Sequence, residues 1–303
     1  MLDADRPDRD VALTRKLVQS LDDRKLLWVD VPGRERAALE EIAAVVGLSD
    51  TTVDALAEEH GRARLILERE SIHLTIQALE GDDDLVTREL DLVAAPNVVV
   101  CVHDGPIEAL DKFAETFHGD TLLGRLDAGS LLGALGDSVA TTWFERIEEV
   151  EREIDHLDES AMRGPEGDGF LAEVLRLRRR IATIRRTLAP HREAFSQLSR
   201  PDIELDERLG KPWPGLDGRL ERAIEAAENA RELLVGSFDI YLGRAAQRTN
   251  DVMKALTIVS AILLPSIVIA GIMGMNFKLP FSRTRRTSGS FSARWWRSRS
   301  PFS

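Results

Sequence analysis

"RTNDVMKALTIVSAILLPSIVIAGIMGMNF", residues 248–277, decides how the rest of the chain is read. From Ala255 to Phe277 there are 23 residues without a charged side chain. A helix that crosses the hydrocarbon core of a bilayer needs about 20 apolar residues. Apolar runs of this length are rare in soluble cores, and this one continues directly from a charged, amphipathic helical pattern. The reading is therefore a transmembrane helix, not a buried soluble one. Arg244, Arg248 and Lys254 flank its start, which places that end in the cytoplasm by the positive-inside rule. Pro265 falls mid-span, where neighbouring helices and the Ser266 hydroxyl are expected to satisfy the backbone it frees.

One face of this helix is distinctive. At about 100° per residue, positions 253, 257, 261, 264, 268, 271 and 275 fall within about 60° of Asn250. That face reads Asn, Met, Thr, Ala, Leu, Val, Gly, Met. A polar residue at the cytoplasmic entrance and glycine near the far end suit a bundle around an axis. Ordinary helix packing through small residues would use the same pattern.

Upstream, apolar periodicity of about seven residues (Leu220, Ile224, Ala227, Leu234, Phe238, Tyr241, Ala245) predicts one helix from about Leu216 to at least Leu264. Fifty helical residues span about 75 Å, more than a globule of this size needs but what a rod entering a bilayer requires. From about residue 128 no strand pattern is found. A long helix ends at "RGPEGDG", and a second, "FLAEVLRLRRRIATIRRTLAPHREAFSQLS", is expected to kink at Pro190. Residues 21–120 differ: "LLWVDV", "ARLILERE", "SIHLTIQALE", "ELDLVAA" and "NVVVCVH" read as strands, with "GDDD" a turn. Helices are expected over "GRERAALEEIAAVVGLS", closed by Gly47, over "DTTVDALAEEHG", with Asp50 as N-cap, and over "PIEALDKFAETFHGD". The expected fold class is an α+β membrane protein: a disordered N-terminus (1–20), an αβα cytoplasmic domain (21–120), a helical cytoplasmic region with a stalk helix (121–254), a transmembrane helix (255–277) and an Arg/Ser-rich tail (278–303).

Charge narrows the function. The chain carries −12, and its tail after Phe281 carries six arginines and no acid, leaving −18 on residues 1–281. So acidic a body repels nucleic acid and attracts cations. "LEEIAAVVGLSDTTVDAL" (39–56) mimics a helix-turn-helix, but its second helix holds Asp50, Asp54, Glu58 and Glu59 with no basic residue before Arg62, so no nucleic acid is expected as partner. "GSLLGALGD" (129–137) lacks the lysine of a phosphate-binding loop. The six histidines are scattered and no nucleophile–base pair stands out, so no enzyme is expected. One cysteine, Cys101, excludes an intrachain disulfide, and the charged first 20 residues are not a signal peptide.

These residues carry a family resemblance. Residues 248–277 closely resemble the first transmembrane helix of CorA-type magnesium/cobalt channels (the 2-TM-GxN superfamily), where Gly-Met-Asn closing that helix is the signature. "ENARELLVGSFDIYL" (228–242), "APHREAF" (189–195) and "WVDV" (28–31) are similar to the same family, so the resemblance spans roughly residues 21–281. It implies a homopentamer in the plasma (inner) membrane that carries Mg2+ and also Co2+, with two membrane helices per subunit, the first lining the pore. By resemblance, Asn250 and Met253 line the cytoplasmic end and Leu264 lies near an apolar constriction. Gly271 lines the wider outer end, and Gly274, Met275 and Asn276 form the outer mouth. Thr257 falls on the same pore face. The family's regulatory Mg2+ binds between subunits, and the acidic "WFERIEEVEREIDHLDES" supplies candidates in Glu148 and Asp155, with Asp217 at the start of the stalk helix. A solvated helix face is the plainer account of these carboxylates. A zinc transporter of the same superfamily and a non-conducting remnant that only oligomerises are the alternatives. The remnant arises because the family's second apolar helix has no counterpart after "KLPF". Residues 282–303 resemble GC-rich DNA read out of frame, so a frameshift or truncation is the expectation.

Overall fold

The structure, a computed structural model, describes residues 1–3, 10–22, 24–116, 127–163, 169–198, 209 and 215–274. The chain divides into two compact units, Met1–Ala245 and Ala246–Ser303.

The first unit is built on a six-stranded mixed sheet. Its strands are β1 (Leu2–Asp3), β2 (Lys25–Pro32), β3 (Arg64–Leu67), β4 (Ile72–Glu80), β5 (Val86–Ala95) and β6 (Val98–His103), in the order β1-β2-β6-β5-β4-β3. Only β2 and β6 run parallel. Period-two alternation sends Val98, Val100 and Val102 to one face and Val99 and Cys101 to the other. The first face is covered by α1 (Arg15–Gln19), α2 (Arg36–Val46) and α3 (Asp50–Leu56), through Leu39, Ala43, Val53 and Leu56. The second face packs on α4 (Glu108–Thr116), α5 (Ala128–Arg163), α6 (Gly169–Leu188), α7 (His191–Leu198) and the first part of α8 (Leu216–Gly274). The two faces thus make an αβα sandwich, with long helices continuing from it.

Some local details differ from the sequence reading. Within residues 1–20, expected to be disordered, Leu2–Asp3 pairs with β2 and Arg15–Gln19 is helical, because Leu17 and Val18 find the apolar face of α2 and α3. The N-cap of α3 is Ser49, not Asp50: the Ser49 hydroxyl accepts from the Thr52 amide at 3.1 Å. Asp50 is instead the first helical residue, where its charge complements the helix dipole. Gly47 closes α2 at φ 90°, as its position suggested. Pro190 separates α6 from α7 instead of kinking one helix.

The sheet and the helices are joined at one point of β4. Strand β3 pairs with β4 only as far as Thr75, so the outward backbone groups of Gln77 have no strand partner on that side. Two helical side chains take them. Trp143 of α5 donates its indole N–H to the Gln77 carbonyl at 3.0 Å, and Nε2 of His191 accepts from the Gln77 amide at 3.0 Å. Trp143 is fully buried, edge-on to His191 (4.7 Å) and stacked on Phe195 (6.3 Å). Three residues of the "APHREAF" segment therefore serve the fold. Its proline breaks the helix, its histidine ties the helix to the sheet, and its phenylalanine fills the core.

His191 Nδ1 lies 2.8 Å from the Thr187 carbonyl, so it must carry the proton, and the ring must stay neutral for Nε2 to accept. Complete burial favours that neutral form and pushes its pKa down to about 4, outweighing the Thr187 carbonyl. As pH falls, the unfolded chain takes up a proton near pH 6.5, whereas the folded chain resists until about pH 4. Stability is therefore full above pH 6.5 and declines across that window, by about 3 kcal/mol for this group. His191→Gln, which keeps an acceptor but does not titrate, is expected to flatten the loss. Denaturant unfolding followed by tryptophan fluorescence at pH 7 and pH 4.5 checks this.

Helix α8 buries Leu216, Leu220, Ala223, Ala227, Ala230 and Leu234 in the first unit. Its start lies close to α5, where a Cβ at Gly136 would sit 3.1 Å from Leu216. Tyr241 stacks on Phe170 of α6 at 4.1 Å. In the second unit, every described residue is exposed.

Candidate functional site

Asn250, Met253, Thr257, Leu264, Gly271 and Gly274 all lie on the second-unit part of α8, a single uninterrupted helix as far as Gly274. All six are exposed, Met253 at 57% and Leu264 at 63%. Among the described residues, α8 is the one helix long and apolar enough to cross a membrane, with mean hydropathy 2.4 over its most apolar stretch and none of that stretch buried. In water, each large apolar side chain left uncovered forgoes about 1.5–3 kcal/mol; lipid or neighbouring helices remove that cost. Met275, Asn276 and the 278–303 tail lie outside the described residues.

Hydroxyls within the apolar run turn back onto the helix. Thr257 donates to the Met253 carbonyl at 2.8 Å. Ser266 donates to the Ile262 carbonyl at 3.4 Å, not to the Ala261 carbonyl that Pro265 leaves without its usual amide. The expectation that Ser266 serves the freed group is corrected by one residue: a side chain on a helix reaches its own i−4 carbonyl. An added Cβ at Gly271 or Gly274 would meet nothing within 4 Å, so both leave room beside the helix.

The acidic helix α5 divides into paired and unpaired carboxylates. Glu145 meets Lys112 at 3.0 Å. Buried Arg146 binds Glu149 and Asp82 at 2.8 Å each through Nη1 and Glu108 at 2.8 Å through Nη2. Glu153 is shared by Arg176 and Arg180 of α6, and Arg176 also reaches Asp83 at 2.7 Å. This network ties the β4–β5 turn to α4, α5 and α6. From sequence, Asp82 and Asp83 read only as turn residues, because partners more than 60 positions away leave no local signal.

Glu148 and Asp155 have no cation partner among the described residues and are exposed. They flank Glu151 at helical spacing. Burial, and then repulsion from Glu148 and Asp155, holds the Glu151 carboxyl above the usual range. Asp217 sits in the first turn of α8, where its carboxylate accepts from the Gly218 amide at 2.9 Å. Among the described residues no group of three or more His, Cys, Asp or Glu side chains is placed to hold a metal. Glu148, Asp155 and Asp217 are thus not brought together within one chain.

Comparison with known proteins bears on both parts. The family described as "CorA-like Mg2+ transporter protein" matches residues 23–296. The chain is 26% identical over 258 residues to the cobalt/magnesium transport protein CorA of Thermotoga maritima, covering 83% of this chain and 73% of that one. It is 27% identical over 237 residues to the divalent cation transporter CmaX of Pseudomonas aeruginosa, covering 76% and 70%. The complete structure of the CorA magnesium transporter from Methanocaldococcus jannaschii shares the fold, with a TM-score of 0.65 at 21% identity over 87% of this chain and 84% of that one. The matched region takes in both the αβα sandwich and the exposed apolar length of α8, and the chain belongs to the CorA-like Mg2+ transporter family.

Proposed function

We propose that this protein carries divalent cations, Mg2+ and also Co2+, across the plasma membrane through a homopentameric pore lined by α8. The observation that carries the reading is the long apolar stretch of α8, wholly exposed, with Asn250, Met253, Thr257, Leu264 and Gly271 on one face. Magnesium dehydrates reluctantly and demands octahedral geometry at about 2.0–2.1 Å. A pore that passes the hydrated ion avoids that cost. Asn276 amides, with Gly274 and Met275 backbone carbonyls, accept hydrogen bonds from the ion's waters. A neutral amide does this without trapping the ion as a carboxylate ring would. Met253 and Leu264 gate by excluding water from a narrow apolar stretch.

Regulatory Mg2+ at Glu148, Asp155 or Asp217 requires donors from a neighbouring copy, since one chain does not assemble a site among its described residues. The ion would offset repulsion between copies and hold the pore shut; its loss would let them separate.

Complementation of a magnesium-requiring strain tests transport. Rescue on low-magnesium medium is the expected result. Failure to rescue, with inhibition of an intact homologue in the same cell, would instead mark a non-conducting assembly.

A further inference from the structure

His103, the last residue of β6, is buried and holds two oxygen acceptors at once. Its Nδ1 lies 2.6 Å from the Gly105 carbonyl, in the connection between β6 and α4. Its Nε2 lies 3.1 Å from the Asp30 carboxylate of β2. A carbonyl and a carboxylate only accept, so both ring nitrogens must donate, which only the imidazolium can do. His191 is the contrast: its ring meets one acceptor and one donor, and so stays neutral. The backbone of His103 is fixed. Its carbonyl takes the Gly33 amide at 2.7 Å, and its strand is paired on both sides, with Pro32 of β2 and Leu90 of β5 as the local partners. The charged groups around the ring divide. The hydrogen bond to Asp30 comes first in favouring the proton; with the Gly105 carbonyl and the charge of Asp104 it outweighs burial and raises the His103 pKa above the ordinary 6.5. Asp104 also meets Arg34 at 3.1 Å. Arg88 of β5 acts against the proton, its guanidinium 3.7 Å from the place of a Cβ on Gly105. Glu108, at the start of α4, is engaged by Arg146 and Lys112. Cys101, two residues back on the same face, stays an uncharged thiol because burial pushes its pKa up.

We propose that His103 is a proton-operated latch between β2 and the connection that leads into α4. Protonated, the ring clasps both. Neutral, it has one N–H and must let go of either the Gly105 carbonyl, which frees the connection, or the Asp30 carboxylate, which unties β2. The latch is closed below pH 6.5, the ordinary histidine value, and opens as pH rises through the higher value of the folded protein. His191 has the opposite sign, since its contribution is lost as pH falls. The residues just beyond the latch carry Ile107, Leu110 and Phe113 into the core and Glu108 to Arg146 of α5. The joint between the sheet and α4 therefore responds to alkaline pH.

The test uses the full chain in detergent and two mass-spectrometric readouts. Deuterium exchange at the imidazole C2–H titrates each histidine separately. The His103 midpoint is expected above 6.5, the ordinary value, and Asp30→Asn is expected to lower it. Asp30 is half exposed, so this variant keeps the fold. Amide exchange, corrected for its intrinsic pH dependence, then follows residues 28–33 and 103–108. In the wild type, protection of one of these segments is expected to fall about 10-fold once pH passes the His103 midpoint. In Asp30→Asn it is expected to stay constant, because an amide can donate to a neutral ring and keep the latch closed. His103→Gln, which does not titrate, is expected to show no such fall either. A His103 midpoint at or below 6.5 would overturn the imidazolium. A raised midpoint with unchanged protection in both segments, or the same fall in Asp30→Asn, would overturn the latch.

Discussion

Replacing Asn276 with alanine is expected to lower magnesium uptake at least ~10-fold while leaving assembly and membrane insertion unchanged. On the proposed reading, the amide oxygens of the ring hold the waters of a hydrated cation. A hydrogen bond to a charged group is worth about 1.5–3 kcal/mol, and each 1.4 kcal/mol is about tenfold in occupancy. Alanine removes the acceptor from every copy at once, so the effect multiplies around the ring. Asn276→Asp separates recognition from charge. It keeps oxygen acceptors but adds formal charge, and is expected to bind the ion more tightly and release it more slowly. Uptake over a range of external magnesium distinguishes the two, alanine weakening the apparent affinity and aspartate lowering the maximal rate. Equal uptake by wild type and alanine variant would remove Asn276 from the pathway.

Trp143→Ala is expected to cost about 3–5 kcal/mol of stability, the range for deleting a large buried aromatic side chain. Trp143 is fully buried in the larger apolar cluster, contacts His191 and Phe195, and caps the Gln77 carbonyl. Alanine leaves a cavity and an unsatisfied carbonyl together. Trp143→Phe restores most of the volume but not the donor and should fall between, so the pair apportions packing and hydrogen bonding. Denaturant unfolding of the detergent-solubilised chain measures both. If Trp143→Ala lost less than about 1 kcal/mol, the joint at Gln77 would not hold the helices to the sheet.

How much of the fold is legible in the sequence depends on the range of the interactions. Helix α8 is readable because its signals are local and repeated: a seven-residue stripe, then an uncharged run. The strands are readable from β-branched runs and the break at "GDDD". The turn between β5 and β6 escapes that reading, although Pro96 followed by Asn97 at φ 60° has the residue types for a tight two-residue turn. The cap of α3 falls one residue earlier than expected because serine and aspartate stand side by side and both are good caps. The Arg146 and Arg176 networks are invisible in sequence, since they join β4–β5, α4, α5 and α6 across long separations. That network also divides the acidic helix: Glu149 and Glu153 are held by arginines, whereas Glu148 and Asp155 have no cation partner among the described residues. The pore-face residues from Asn250 to Gly271 follow from periodicity and family resemblance. Their place on one continuous helix is a fact of the fold, and their role is a proposal.

The most direct test of the central claim is magnesium entry into sealed vesicles containing the purified full chain and a trapped magnesium-sensitive dye. Entry well above that of protein-free vesicles, driven by an inside-negative potential, is the expected result. Vesicles in which the chain is inserted and assembled yet entry matches the protein-free control would contradict it.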